Sequence, residues 1–226
     1  MAKIVIYASA MPGRRDALHA AAKALLQHPV LQRHGLEASV MTPLATDALR
    51  APPDSDFAAR THAAMEIAAP QGVPLLPLHG DLHSALGPLC ELLDARQSRV
   101  LCGYHRVFRQ TAPRALRYHY LMRRRADFSR PDYLDYYAHH HYRFGMETPG
   151  VDYYQTYVCP ESSAALAALL GLDLVAADSV SELHFDDIDA FLASGVMEEL
   201  GPRAVADEER FVDRARSTSF TMAVVA

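Results

Sequence analysis

The sequence predicts an α+β protein made of two tandem β-α-β-β-α-β units, residues 1–112 forming the first and 113–226 the second. Three observations lead there. Short alternating or β-branched runs are separated by Ala/Leu-rich runs with helical spacing, and this order passes through the chain twice. Pro, Gly, Ser and Asp clusters punctuate the boundaries. Two segments also match locally. Pro77-Leu78-His79-Gly80-Asp81 and Glu182-Leu183-His184-Phe185-Asp186 each read as a strand ending in Leu-His, one residue, then an Asp able to cap a helix. Each unit is then a ferredoxin-like motif.

In chain order, residues 3–9 (KIVIYAS) form the first strand. After Pro12-Gly13, residues 14–34 read as a helix closed by Gly35, and 36–44 as a second strand. Residues 46–71 read as an insertion with one helix over 57–69. The proline-bearing run 73–79 fits an edge strand, Asp81 caps a helix to about Leu93, and 99–109 is the next strand. The pattern then restarts with a strand at 116–123 and a helix at 129–144. Ser129 stands at the N-cap of that helix, and Pro131 lies inside its first turn. A strand at 152–158, a short helix at 162–170 and a strand at 178–185 follow. A helix over 186–200 breaks near Gly195, and helical turns at 207–214 precede a last strand at 219–225.

A four-stranded sheet with two helices covers only one of its faces, so the other needs a partner. Two such sheets packed face to face bury both and close into an intramolecular barrel, whose interior is expected to be a lined cavity. Half of the 226 residues are hydrophobic, and the net charge of −5 argues against a nucleic-acid partner held by bulk electrostatics. Cys90, Cys102 and Cys159 are sparse and widely spaced, as in a reducing compartment. No stretch approaches the roughly 18 apolar residues that span a bilayer. A cytoplasmic protein with no membrane partner is expected. No Gly-rich phosphate loop, nucleophile elbow or GxGxxG motif is present, and no cofactor is expected.

On the helix after Ser129, Tyr133, Tyr137 and His141 recur at four-residue steps and share one face. A Ser-started helix with this aromatic, aromatic, His spacing, followed by a short strand, resembles the EthD-like family of dimeric α+β barrel proteins. That family usually has Phe and Trp where this chain has Tyr133 and Tyr137, and its His falls on His141. The run from Ala206 to Asp213 also looks like the family's tail. The likeness extends from about Leu116 to the end and is weak before it. It implies a cofactor-independent enzyme performing lyase, dehydratase, decarboxylase or isomerase chemistry on an aromatic or polyketide-like small molecule. His141 would be the acid/base. Family members pair their sheets by dimerising; this chain would do so within itself, and a homodimer remains open. The rival readings are a cofactor-free monooxygenase of a phenolic substrate and a non-catalytic ligand-binding accessory of an oxidative pathway.

Glu182 and His184 are two apart in a strand and so share a face, opposite Leu183 and Phe185. Pointing into the barrel, the carboxylate would raise the imidazole's pKa and orient its tautomer, making the pair a second proton handler. The competing reading is a solvated strand edge. Tyr137 and Tyr133 are expected to contact ligand, with Tyr137 as orienting donor, and so is His119. The pattern leaves open which face of 116–123 looks inward. His139-His140-His141 cannot chelate one ion, because consecutive helical residues point about 100° apart. A metal would need one of them with His119 or His184, and no metal is expected. Some barrel relatives bind haem, but nothing in the sequence marks an axial ligand.

Overall fold

Eight strands of the computed structural model close into one antiparallel barrel with every helix outside it. The structure describes residues 1–74 and 78–225. The first half contributes β1 (Ala2–Ala8), α1 (Arg15–Leu25), α2 (Pro29–Arg33), β2 (Glu37–Pro43), α3 (Asp56–Arg60), β3 (Ala63–Ala68), α4 (His79–Cys90) and β4 (Arg99–Arg109). The second contributes β5 (Leu116–Met122), α5 (Arg130–Tyr136), a π-helical turn (Tyr137–His141), α6 (Tyr142–Glu147), β6 (Asp152–Val158) and α7 (Pro160–Leu170). It continues with the two-residue β7 (Asp173–Leu174), β8 (Ser179–Phe185), α8 (Ile188–Ala193), α9 (Val196–Glu199), α10 (Gly201–Glu208) and β9 (Thr218–Val224). The barrel runs β1-β3-β2-β9-β5-β8-β6-β4 and back to β1, while β7 lies parallel to β4 outside the ring. Within each half the spatial order is the same: fourth strand, first, third, second. The halves join where β2 meets β9 and β4 meets β6.

Local chemistry accounts for several boundaries. The Ser129 hydroxyl caps α5 by accepting the Asp132 N–H at 3.2 Å. Gly195, at φ +76°, breaks the helical run between α8 and α9, a left-handed geometry only glycine adopts cheaply. Asp187, not Asp186, caps α8, accepting the Ala190 N–H at 2.8 Å. Asp186 instead pairs with Arg114 at 2.6 Å.

The expected helix over 57–69 is corrected: only Asp56–Arg60 is helical, and Ala63–Ala68 is the third strand of its half. This Ala-rich run has little strand propensity, but β1 and β2 supply pairing on both its edges. Of the expected strand 73–79, Leu75 to Pro77 lie outside the described residues, and His79 opens α4. His79 is therefore not the counterpart of His184. By register Glu66 of β3 stands opposite Val5 of β1, and Glu182 of β8 stands opposite His119 of β5.

The expected hollow interior is also corrected. One end of the barrel is filled by Val5, Tyr7, Met41, Leu121, Val180 and Phe220. The rest holds Lys3, Glu66, His105, Arg117, His119, Glu182 and His184. Eight strands enclose a space just wide enough for side chains, and here they occupy it. Over the first half, α1, α4 and α7 pack directly on the outer sheet face through residues such as Leu18, Leu82, Leu86 and Leu166.

Candidate active site between the second sheet and its helices

Strand alternation turns Tyr118 and Tyr120 of β5, Ser181 and Leu183 of β8 and Ser219 of β9 outward, toward α6 and α8 to α10. Those helices do not close on the sheet. They are short, interrupted at Gly195 and restarted at Pro202, so no continuous apolar stripe can lie flat there. A cavity of about 630 Å³ remains. His141, Phe144 and Tyr153 form one wall and Leu200, Val205 and Glu208 another, while a loop from the first half, residues 48–52, completes it. Gly145 lies directly on the Tyr153 ring, a contact that leaves no room for a Cβ.

His141 is carried on the π-helical turn and buried. Its Nδ1 lies 2.9 Å from Asp207 Oδ2 on α10. Asp207 also accepts the Tyr136 hydroxyl at 2.8 Å and lies 3.4 Å from the Arg143 guanidinium. Burial raises the cost of charging this carboxyl, but hydrogen bonds from His141 and Tyr136 outweigh it and hold the pKa below the ordinary value. An ionised Asp207 assigns the ring proton to Nδ1 and leaves the Nε2 lone pair free. Among the described residues no protein group bonds Nε2. Phe211 and Phe144 flank the ring at 5.1 and 5.3 Å. Next to Asp207, Glu208 lines the cavity, and burial raises its carboxyl pKa against the opposing pull of His141 and Arg214. The Tyr120 hydroxyl donates to Glu208 at 3.4 Å, and Arg214 pairs with the same carboxylate.

Tyr133 and Tyr137 share a helix face with His141 but do not line the cavity. Both are fully buried against Phe211, their hydroxyls bonded to Ser179 Oγ at 2.6 Å and the Val180 carbonyl at 3.2 Å. Glu182, His184 and His119 lie across the sheet from His141, inside the barrel. Lys3 Nζ donates to Glu182 Oε2 at 2.6 Å and sits 2.5 Å from Glu66 Oε1. Thr156 donates to the other Glu182 oxygen at 2.8 Å, and His184 Nε2 lies 3.4 Å from Oε2. His119 Nδ1 bonds the Tyr7 hydroxyl at 2.8 Å. The expectation that Glu182 raises the His184 pKa is corrected: burial outweighs the carboxylate and brings it down to about 4. Burial likewise lowers His119 and His105 to about 3 and Lys3 to about 8. For Glu182 itself the cost of burial is overcome, chiefly by Lys3, and its carboxyl is held well below its usual range.

Glu66, His119 and Glu182 have ligand-type atoms within 4.8 Å of one another, but the Lys3 ammonium already sits between the two carboxylates. His139 is exposed and pairs with Asp135, and His140 stacks on Tyr136, so neither converges with His141. Among the described residues His141 is the one imidazole lining the cavity. Nothing in the sequence marks Asp207 and Glu208 as site residues, while Tyr118 and Tyr120 belong to a tyrosine-rich stretch suited to a ligand cavity whose inward face the strand pattern leaves open. The charge-rich run at 207–216 reads as a solvated face until α10 folds its start over His141.

Residues 125–215 match the model of the EthD domain family. No curated protein matches the chain. Among solved structures, the chain is similar to a "putative monooxygenase" from Lactobacillus acidophilus NCFM, with TM-score 0.57, 8% identity, and coverage of 99% of this chain and 93% of that one. It is also similar to a mutant chlorite dismutase from Candidatus Nitrospira defluvii, solved in complex with cyanide: TM-score 0.54, 8% identity, 100% and 91% covered. A third is a "putative monooxygenase" from Fusobacterium nucleatum subsp. nucleatum, at TM-score 0.54, 8% identity, 100% and 92% covered. At these identities the likeness is one of fold.

Proposed function

With an EthD domain over residues 125–215 as the premise, we propose that this chain is an enzyme moving protons on an aromatic or polyketide-like small molecule in the cavity beneath that domain's helices. The observation that carries this reading is the His141–Asp207 pair, set so that a free imidazole nitrogen opens onto a cavity walled by phenols and apolar groups. Asp207 holds the ring in one tautomer, and His141 Nε2 takes or returns a proton. Glu208, whose carboxyl pKa burial pushes above the ordinary value, is the complementary proton handler, with Tyr120 hydrogen-bonded to it. Tyr118 and Tyr120 orient the substrate's oxygens. Proton transfers by a positioned acid and base are what a lyase, dehydratase, decarboxylase or isomerase step needs. Glu182, His184 and His119 then hold the barrel together rather than meet the substrate. We read residues 1–112 and 113–226 as tandem ferredoxin-like repeats packed sheet to sheet, a reading supported by their common strand order. Among the described residues no helix is long and apolar enough to cross a membrane, and a cytoplasmic location remains part of this proposal.

A second reading, a monooxygenase acting on a phenolic substrate, is favoured by the descriptions of two structural neighbours. As a cofactor-free oxygenase, the chain would use His141 Nε2, backed by Asp207, to take the phenol's proton and stabilise the substrate anion. Turnover with a panel of hydroxylated aromatic and polyketide-type compounds tests the first reading. His141→Ala should lower kcat by about 10²-fold or more while the protein stays folded. Unchanged turnover removes His141 from the chemistry, and stoichiometric oxygen uptake favours the second reading.

A further inference from the structure

The cavity contains an arginine with nothing to hold. Among the described residues that line it, three carry formal charge: Arg50, Arg214 and Glu208. Arg214 is already paired with Glu208. Arg50 is half-buried, and its Nε, the buried part of the guanidinium, has no hydrogen-bond partner among the described residues. A chain with net charge −5 thus keeps two guanidiniums against one carboxylate in this wall, and burial favours the uncharged form of that carboxylate. An N–H removed from water without an acceptor is costly, which makes an unpaired buried donor in a cavity wall a mark of an absent acceptor.

The backbone that carries Arg50 is also held in place. It belongs to the loop between β2 and α3, which is fastened along β9. Leu44 N–H donates to the Thr221 carbonyl at 3.0 Å, and Ala51 and Ser219 exchange backbone bonds at 3.1 and 2.7 Å. The Ser219 hydroxyl reaches the Leu49 carbonyl at 3.1 Å. Asp47 Oδ1 accepts both the Leu49 N–H and the Thr221 hydroxyl at 3.0 Å. An arginine on so anchored a backbone loses only side-chain freedom when it meets a carboxylate, and its planar fork loses less of that per hydrogen bond than a lysine would.

We infer that Arg50, supplied by the first half of the chain, is the specificity-determining receptor for a carboxylate borne by the aromatic ligand of the second half's cavity. The inference rests on the reading of that cavity as an aromatic-ligand site and adds the anionic group. The ring lies among Tyr118, Phe144 and Leu183, and the carboxylate reaches the Arg50 guanidinium, leaving the rest of the ring to His141.

Isothermal titration with resorcinol and 2,6-dihydroxybenzoate tests this, because the two share a ring and hydroxyls and differ in the carboxylate. At pH 7 the carboxylate compound should bind the wild-type protein at least about tenfold more tightly. Arg50→Gln should abolish that preference while changing resorcinol binding less than about twofold, and Arg50→Lys should keep part of it. Resorcinol binding without a carboxylate preference, or a preference that survives in Arg50→Gln, overturns the assignment of Arg50 and leaves the aromatic cavity standing. Failure of both compounds to bind refutes the aromatic cavity and the inference with it.

Discussion

Acidification should unfold this protein through three histidines sealed inside its barrel. His105, His119 and His184 are 6%, 0% and 8% exposed, and burial lowers their pKa values to about 3, 3 and 4. In the unfolded chain each titrates near about 6.5. Between those values the unfolded state binds protons that the folded state refuses, so stability falls as pH falls. Each imidazole then costs roughly 1.4 kcal/mol per pH unit once the unfolded form is protonated. Three together give roughly 4 kcal/mol per unit across about pH 6 to 4, and on the order of 5 kcal/mol between pH 7 and pH 5. That is comparable with the whole stability of an ordinary domain, about 5–15 kcal/mol. Glu182 adds to it with the same sign: its depressed carboxyl contributes above the unfolded value near about 4.5 and loses that contribution as pH drops further. Urea unfolding at pH 7, 6 and 5 and fixed ionic strength measures the slope. His119→Asn should reduce the slope by about a third, whatever it does to absolute stability, because one of the three groups no longer titrates. A free energy of unfolding that changes by less than about 1 kcal/mol from pH 7 to pH 5 would refute the neutral, sealed imidazoles on which this reasoning depends.

Two further outcomes follow from the cavity. Asp207→Asn removes the charge that fixes the His141 tautomer, and kcat should drop about 100-fold with KM little changed, Asp207→Glu restoring part of the rate. A loss confined to KM would place Asp207 in binding rather than in orienting the base. Titration with hemin should leave the free-hemin absorption spectrum unchanged. A sharpened Soret band that disappears in His141→Ala would instead assign His141 an axial role.

Much of the second half was legible because its local signals agree with its tertiary structure. Ser129 caps a helix, Gly195 breaks one, and the period-two pattern of β8 sets Glu182 and His184 inward and Leu183 outward. The first half was harder where tertiary pairing overrode composition. Ala63 to Ala68 look helical, and only two neighbouring strands make them the third strand, so Glu66 and its ion pair with Lys3 escaped notice. The cavity lies on the face of the second sheet opposite to the barrel interior that the sequence points to. Strand alternation says that Tyr118 and His119 face opposite ways, but not which face is hollow. That depends on whether the barrel interior is full and whether the covering helices are long enough to close on the sheet. Asp207 and Glu208 join the site only because α10 packs over the turn bearing His141, a contact across 66 residues of chain with no local signature.

A crystal structure of the protein with resorcinol bound tests most directly whether the reactive site lies outside the barrel, between the second sheet and its helices. The ring should sit beside His141 and Phe144 against the outward faces of Tyr118 and Leu183, with the interior around Lys3 and Glu182 unchanged. A ring found within the barrel among His105, His119 and His184 would contradict the placement of the site.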